Sequence, residues 1–276
     1  MAMDIRVLTS NAWRCDENKP WWAERGLDCS AAARVPVLLR AYREISPDVI
    51  GFQEVSAAMQ AMFAAQMRPQ GFEFVSGGDT PVAFRADRLK FLESGFCRFP
   101  ERIPGLDGSF NNSDTKSFVW CLFETRDADK ARFALLNMHL WWMSEERQPG
   151  SDAAREWQFR QAAAALAAAP ELGGLPAIAT GDFNAAPPSP CLRAAAGSGW
   201  CDAHDLAPDP DETRGTHPCS ANGFGPRPTP GTFAESIDHI LVKAPSPLQV
   251  LSHRRLREPW FDPASDHYPL FCDIAI

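Results

Sequence analysis

Eight residues of this 276-residue chain are of types that handle metal ions, protons or phosphate oxygens, and each stands beside an apolar run. Asn11 closes LTSN, Glu54 closes DVIGFQE, His139 closes LLNMH, and Asp182 and Asn184 close AIATGDFN. Asp238 lies in SIDHILV, and Asp266 and His267 form the SDH before the last apolar run. Each alone is ordinary, because an acid near a strand end usually serves a turn. As a set they are carboxylates, imidazoles and carboxamides only. Glu54, Asp182, Asp238 and Asp266 gathered in one pocket would repel one another and be driven to protonate. A hard divalent cation resolves that conflict, and oxygen donors favour Mg2+, Mn2+ or Ca2+ over zinc. A magnesium site uses one or two carboxylates, which leaves acids and histidines for proton transfer. His139 and His267 suit phosphate contact or proton shuttling near neutral pH. Asn184 donates to an anionic oxygen without changing net charge. The ensemble points to metal-assisted hydrolysis of a phosphoester.

Rigid elements have to hold such a set together. Strands are expected at Ile5–Thr9, Asp48–Phe52, Phe72–Ser76, Pro81–Arg85, Ser117–Glu124, Arg132–Met138, Ala177–Gly181, Ile237–Val242 and Leu270–Ile274. Several are continuous apolar runs, as in sheets covered on both faces. Helices are expected at Arg34–Ile45, where Pro36 fits only a first turn, and at Ser56–Met67 with a serine cap. Two more are expected at Ser151–Ala169, capped by Ser151, and at Ser189–Ala196. Trp13–Ser30 and the Pro/Gly-rich Ala207–Thr232 read as long loops. No internal repeat is visible, and strands mixed with helices favour one multilayer α/β domain over residues 1–276.

NAW, PDVIGFQE, NMHL, GDFN, IDHI and SDHYP occur in that order from near the start to near the end of the chain. The series resembles the endonuclease/exonuclease/phosphatase superfamily, as do RADRLKF and the Ala-Arg-Glu-x-Gln of Arg155–Gln158. The resemblance implies a four-layer sandwich, two packed mixed sheets flanked by helices. It implies that Glu54 is the main ligand of Mg2+ (or Mn2+), with Asn11 and Asp266 beside it. Asp182 resembles the residue that orients or deprotonates the attacking water, and Asn184 its phosphate-contacting companion. His139 resembles the histidine that stabilises phosphate oxygens, and Asp238 and His267 an Asp–His pair. Either Asp182 or His267 fits the general base. Trp13 stands where some members carry a second acid, Trp141-Trp142 where many carry an acid, and Met138 where many carry threonine; these departures bear on metal number and substrate.

Net charge is −8 with pI ≈ 5.3, so no sequence-wide cationic field holds nucleic acid. The substrate class stays open among nucleic acid, nucleotide, sugar and lipid-headgroup phosphates. Acidity and the pairs Trp21-Trp22 and Trp141-Trp142 favour a small or single-stranded substrate over duplex DNA. The start of the chain has Asp4 and Arg6 where a signal peptide needs an apolar core, and no run approaches a membrane span of ~20 residues. A cytoplasmic protein without stable membrane association is expected, its eight cysteines mostly reduced. Cys201, His204, His217 and Cys219 fit no common zinc spacing and read as loop residues. The basic run His253–Arg257, with Arg85, Arg88, Arg98 and Arg102, reads as a solvated loop or strand edge rather than a groove for polymer. Lys116 starts a strand, where a phosphate role is open but unsupported, and His239 reads as structural. The rival from another class is a non-catalytic binding protein on the same fold; its sign would be eroded ligands, yet all eight residues are present.

Overall fold

Strand side chains alternate between faces, and the interior strands are apolar on both, so each of these has a buried layer on either side. The computed structural model describes residues 3–169, 172, 174–211, 215–217, 236–243, 248–256 and 258–276. In chain order these form β1 (Asp4–Asn11), α1 (Pro20–Ala23), α2 (Ala31–Ile45), β2 (Val49–Gln53), α3 (Ala57–Met67), β3 (Phe72–Val75), β4 (Val82–Arg85), β5 (Leu89–Arg98) and β6 (Ser117–Thr125). They continue with β7 (Arg132–His139), α4 (Ser151–Ala168), β8 (Ala177–Asp182), α5 (Pro190–Gly197), β9 (Cys201–Asp202), α6 (Ala203–Leu206), β10 (Asp238–Lys243), β11 (Gln249–Arg255) and β12 (Leu270–Ala275).

The strands make two six-stranded mixed sheets, ordered β11-β12-β1-β2-β4-β3 and β5-β6-β7-β8-β10-β9. Among the described residues only β1–β2 and β7–β8 pair in parallel, each joined through a helix. Alternation assigns the layers. Val7, Val49, Leu135, Ile178 and Ile240 meet between the sheets, with Phe84 and Phe123. Their neighbours Leu8 and Ile50 turn outward to α2 and α3, and Leu136, Ala179 and Leu241 turn outward to α4 and α5. The result is the expected helix–sheet–sheet–helix sandwich.

The sheets are also tied by a polar knot beneath one end. Asn137 donates to Phe52 O (2.7 Å) and Thr80 O (3.1 Å) and accepts from Gln53 Nε2 (2.7 Å) and Thr180 Oγ1 (3.0 Å). Every member is buried, so these bonds satisfy groups that water cannot reach. A Cβ on Gly51 would stand 2.2 Å from Thr180 Oγ1 and 2.5 Å from Asn137 Oδ1, so only glycine allows this approach.

Three local expectations need correction. Helix α2 starts at Ala31, capped by Ser30, whose hydroxyl accepts from Ala33 N (3.3 Å). Pro36 therefore lies past the first turn, because burying Ala31, Arg34 and Val35 outweighs the backbone bond lost at proline. Helix α4 is capped by Gly150, not Ser151. The Glu145 carboxylate takes the Gly150 and Asp152 N–H groups at 2.8 Å each, leaving Ser151 to donate to Gln148 O (2.7 Å). Finally, β5 and β11 lie at sheet edges, where a polar outer side hides the strand pattern, and α1 interrupts the first long loop. Of the second long loop, residues 212–214 and 218–232 lie outside the described residues.

Candidate active site

The parallel pairs aim the C-terminal ends of β1, β2, β7 and β8 at one end of the sandwich, where β10 begins and the chain enters β12. All eight residues stand there. His139 and Asp182 face each other as the last pair of the β7–β8 register, and Asp182 and Asp238 pair across β8–β10.

The second sheet, joined by His267 from ahead of β12 in the first, supplies a buried charged cluster. Asp182 accepts from Asn184 N (2.8 Å) on Oδ1 and from Asn11 Nδ2 (3.0 Å) on Oδ2. His139 Nε2 lies 3.3 Å from the same Oδ2, and His267 Nε2 at 3.9 Å. Burial pushes the Asp182 carboxyl up, but His139, His267 and Lys116 outweigh it and hold the group far below the usual carboxylate range. Asp238 Oδ2 takes His267 Nδ1 at 2.8 Å, which turns Nε2 toward Asp182 and Asp266. Burial works against the His267 imidazolium, yet Asp238 and Asp182 raise it well above its ordinary value. Asn184 holds φ +48° and spends one amide hydrogen on Leu140 O (3.1 Å).

The first sheet supplies oxygen donors. Asn11 Oδ1 accepts from Trp13 N (2.9 Å) while its amide reaches Asp182. Glu54 follows β2 at φ +56°, accepts from Arg14 N (3.1 Å) and lies 3.8 Å from His139 Nε2. Burial raises Glu54, and His139, Lys116 and His267 bring it below the ordinary value. Asp266 lies 4.0 Å from His267. Burial pushes Asp266 up to about 7, with His267 opposing and the Glu54 charge assisting.

These residues fit a hard divalent cation. Glu54 and Asp266 carry like charges that repel, the first-sheet donors are all oxygens, and among the described residues Asp238 Oδ1 is buried without a hydrogen-bond partner. Among the described residues, two groups bring ligand atoms within 4.8 Å of one another: Asp182 with Asp238 and His267, and His217 with Asp266 and His267. Neither joins Cys201 or His204, and Cys219 lies outside the described residues.

Two participants carry no sequence assignment to this site. Lys116, just before β6, is buried with Nζ 2.5 Å from His139 Nε2. Burial pulls its ammonium down against the pull of Glu54 and Asp182. Its signal was a lysine directly ahead of the apolar strand that pairs with the His139 strand. His217 lies with its ring centre 4.7 Å from that of His267, tilted at 44°, and burial with His267 lowers it to about 4. No spacing in its Pro/Gly-rich surroundings announces it.

The other singled-out residues fall outside the cluster. His239 is buried, bonded to Asp202 (3.0 Å) and Ala185 O (2.9 Å), as a structural histidine. His253–Arg255 of the basic run end edge strand β11, where Arg254 reaches Asp209 (3.1 Å) and Arg255 N reaches Asp211 (2.6 Å), and Arg257 lies outside the described residues. Arg85 and Arg98 pair with Asp87 and Asp114. The Trp pairs divide: Trp22 and Trp141 are buried, while Trp21 and Trp142 are 40% and 47% exposed.

The model of the Endonuclease/Exonuclease/phosphatase family matches residues 8–267. The chain belongs to that family. Members of the endonuclease/exonuclease/phosphatase family are hydrolases of phosphoester bonds and generally use divalent metals. Among solved structures, an endonuclease/exonuclease/phosphatase family protein from Bacteroides thetaiotaomicron is 20% identical, with TM-score 0.76 over 100% of this chain and 99% of that one. A mannosyl-6-phosphatase from the same organism is 20% identical, with TM-score 0.74 over 99% and 100%. D. rerio TDP2 complexed with single-strand DNA product is 19% identical, with TM-score 0.70 over 99% of each chain. These likenesses concern the fold. No curated protein is significantly similar in sequence.

Proposed function

We propose that the chain is one catalytic domain, a divalent-metal-dependent phosphoesterase that hydrolyses its substrate by in-line attack of water. The observation that carries this reading is the Asp182–His139–His267–Asp238 cluster, buried at the meeting of both sheets beside Glu54. Glu54, Asn11 and Asp266 would hold Mg2+ or Mn2+, which would supply Lewis acidity toward the phosphoryl oxygens. Asp182, fixed by the Asn184 N–H and held ionised by His139, His267 and Lys116, orients the attacking water by accepting its hydrogen bond. His267 has Nδ1 committed to Asp238, so Nε2 is the atom that donates to the phosphoryl group. His139 and Lys116 neutralise charge developing on its oxygens, and the second amide hydrogen of Asn184 assists.

We favour a small or single-stranded substrate. Half-exposed Trp142 lines a cavity of about 610 Å3 that Asn184 and His217 also line. Glu145 and Asp152 line the same cavity with Arg155 and Arg193, so its formal charges cancel and no cationic field there draws a polyanionic duplex. The names of the two neighbours, a sugar phosphatase and a protein holding single-strand DNA product, support these two branches. A cytoplasmic location accords with the acidic composition, and no described helix is long and apolar enough to cross a membrane.

The test is a hydrolysis panel with metal-stripped protein, with and without Mg2+ or Mn2+, and Glu54→Ala as blank. It holds p-nitrophenyl phosphate, its bis ester, a hexose phosphate, single- and double-stranded DNA, and RNA. Metal-dependent release absent from the blank is expected, strongest on a small or single-stranded member. Equal release by Glu54→Ala, or silence across the panel without metal binding, overturns the proposal.

A further inference from the structure

Away from the hydrolytic cluster, two thiols touch. Cys15 and Cys29 place their Sγ atoms 3.4 Å apart, and among the described residues this is the one pair of thiols in contact. Both side chains are buried, Cys15 at 6% exposure and Cys29 at 0%, so an oxidant reaches the pair through Cys15. The intervening loop already closes on itself without a covalent bond. Ala31 N donates to Asp16 O (3.3 Å), Cys29 N to Asn18 Oδ1 (2.9 Å), and Asn18 Nδ2 to Leu27 O (3.0 Å). Beneath the neck, the buried Arg34 guanidinium donates to Cys29 O (2.7 Å) and Cys15 O (3.2 Å), clamping the backbone at both cysteines. A disulfide needs its sulfurs at about 2.05 Å, a closure that side-chain rotation and a small shift supply where the backbone is already in place.

We propose that Cys15 and Cys29 are a modification site, a dithiol that a hydroperoxide or a small-molecule disulfide converts reversibly to a disulfide. The two thiols lose two electrons and two protons and form the S–S bond. A hydroperoxide accepts them by breaking its O–O bond and leaving as alcohol and water; a small disulfide accepts them and leaves as two thiols. Burial and the Cys29 contact push the Cys15 thiol up to about 11, in keeping with a dithiol at rest. The bridge closes the loop that carries exposed Trp21 and braces the segment just behind Arg14. Arg14 donates to Glu54 from its backbone (3.1 Å) and to Asp79 from its side chain (2.6 Å). The inference does not depend on the hydrolytic reading.

The experiment exposes the folded, full-length protein to hydrogen peroxide or oxidised glutathione, then maps peptides after alkylation of remaining thiols. A Cys15–Cys29 peptide lighter by two hydrogens is expected, reversed by dithiothreitol. The oxidised protein melts about 5 °C higher than the reduced one, because a closed loop restricts the unfolded chain. Cys15→Ser and Cys29→Ser each abolish the cross-link. Should either fail to fold, the Cys97→Ser/Cys201→Ser variant, which removes two exposed thiols, keeps the wild-type cross-link. A persistent glutathione adduct on Cys15, a bridge elsewhere, or oxidation of Cys97 with both loop thiols still alkylatable overturns the proposal. An unchanged melting temperature after bridging overturns the brace.

Discussion

The two sheets follow one plan and carry different chemistry. Each has an antiparallel pair (β11-β12 or β5-β6), a parallel pair joined by a helix (β1-β2 or β7-β8), an antiparallel neighbour (β4 or β10) and an edge strand (β3 or β9). The same hydrogen bond closes both parallel pairs, Ala12 N to Gln53 O (2.8 Å) and Leu140 N to Asp182 O (3.0 Å). Asn11 is therefore the counterpart of His139, and Gln53 of Asp182. His267, ahead of β12, corresponds to Lys116, ahead of β6. At matching places the first sheet has neutral amides, with Glu54 just beyond, and the second has a buried imidazole and carboxylate. Repeating the frame lets the site be divided into an oxygen-donor half and a proton-handling half on rigid strand ends, the second completed by His267 from ahead of β12 in the first sheet.

The largest expected effects test that division. Glu54→Ala and Asp182→Asn each lower kcat by about 10³-fold or more on the best panel substrate. They part on rescue. Raised Mn2+ restores some activity to Glu54→Ala, whose loss is weakened metal affinity, and none to Asp182→Asn. Rescue of Asp182→Asn by metal would move Asp182 into the oxygen-donor half and break the comparison.

The counterparts Lys116 and His267 sharpen it. His267→Ala is expected to cost about 10³-fold in kcat, the loss of a proton donor, and Lys116→Met about 10²-fold, the loss of one electrostatic contact. Steady-state kinetics separate the roles. A Lys116→Met variant that raises KM at unchanged kcat would show that the lysine binds substrate without favouring the transition state.

Much of this arrangement was legible in the sequence, for a physical reason. Interior strands are apolar on both faces, so their ends are visible as the places where apolar runs stop, and the eight residues sit at those stops. Edge strands β5 and β11 carry polar side chains outward and lose that signature. The Ser30 cap was hidden by Pro36, which argued for a later helix start. The repeat was invisible because it lies in topology: Asn11 and His139 share a place and nothing else. Lys116 and His217 reach the cluster from segments outside the apolar runs, so only the fold brings them in.

Below the site the two halves are joined, and the next effect concerns stability. Asn137→Ala strips partners from Phe52 O, Thr80 O, Gln53 and Thr180, all beyond the reach of water. A loss of about 3 kcal/mol in urea denaturation is expected. Gly51→Ala destabilises as well, by the overlap of its Cβ with Thr180 and Asn137. Loss below about 0.5 kcal/mol in Asn137→Ala would mean that apolar packing alone holds the sheets together.

The smallest effect lies in how each half ties its antiparallel neighbour. In the first sheet, β1 and β12 are joined by Arg6 and Asp273 (2.7 and 3.1 Å), with Ser252 of β11 on the same carboxylate (2.8 Å). Burial raises Asp273, but Arg6 and Ser252 outweigh it and hold the carboxyl below its ordinary value. A carboxyl depressed in the folded state adds stability that is full above the unfolded value of about 3.9 and is lost as pH falls through the folded one. Both side chains are partly exposed, at 36% and 26%, so solvent limits the gain to under about 1 kcal/mol. Asp273→Asn is expected to lower the melting temperature by about 2 °C at pH 7, with the gap to wild type closing below about pH 3. The corresponding strands β6 and β7 carry Arg132–Glu124 (3.0 Å) with the arginine 48% exposed, and Glu124→Gln is expected to move the curve less. An equal shift in both variants would show that the extra Ser252 contact adds nothing and that the two sheets hold their neighbours alike.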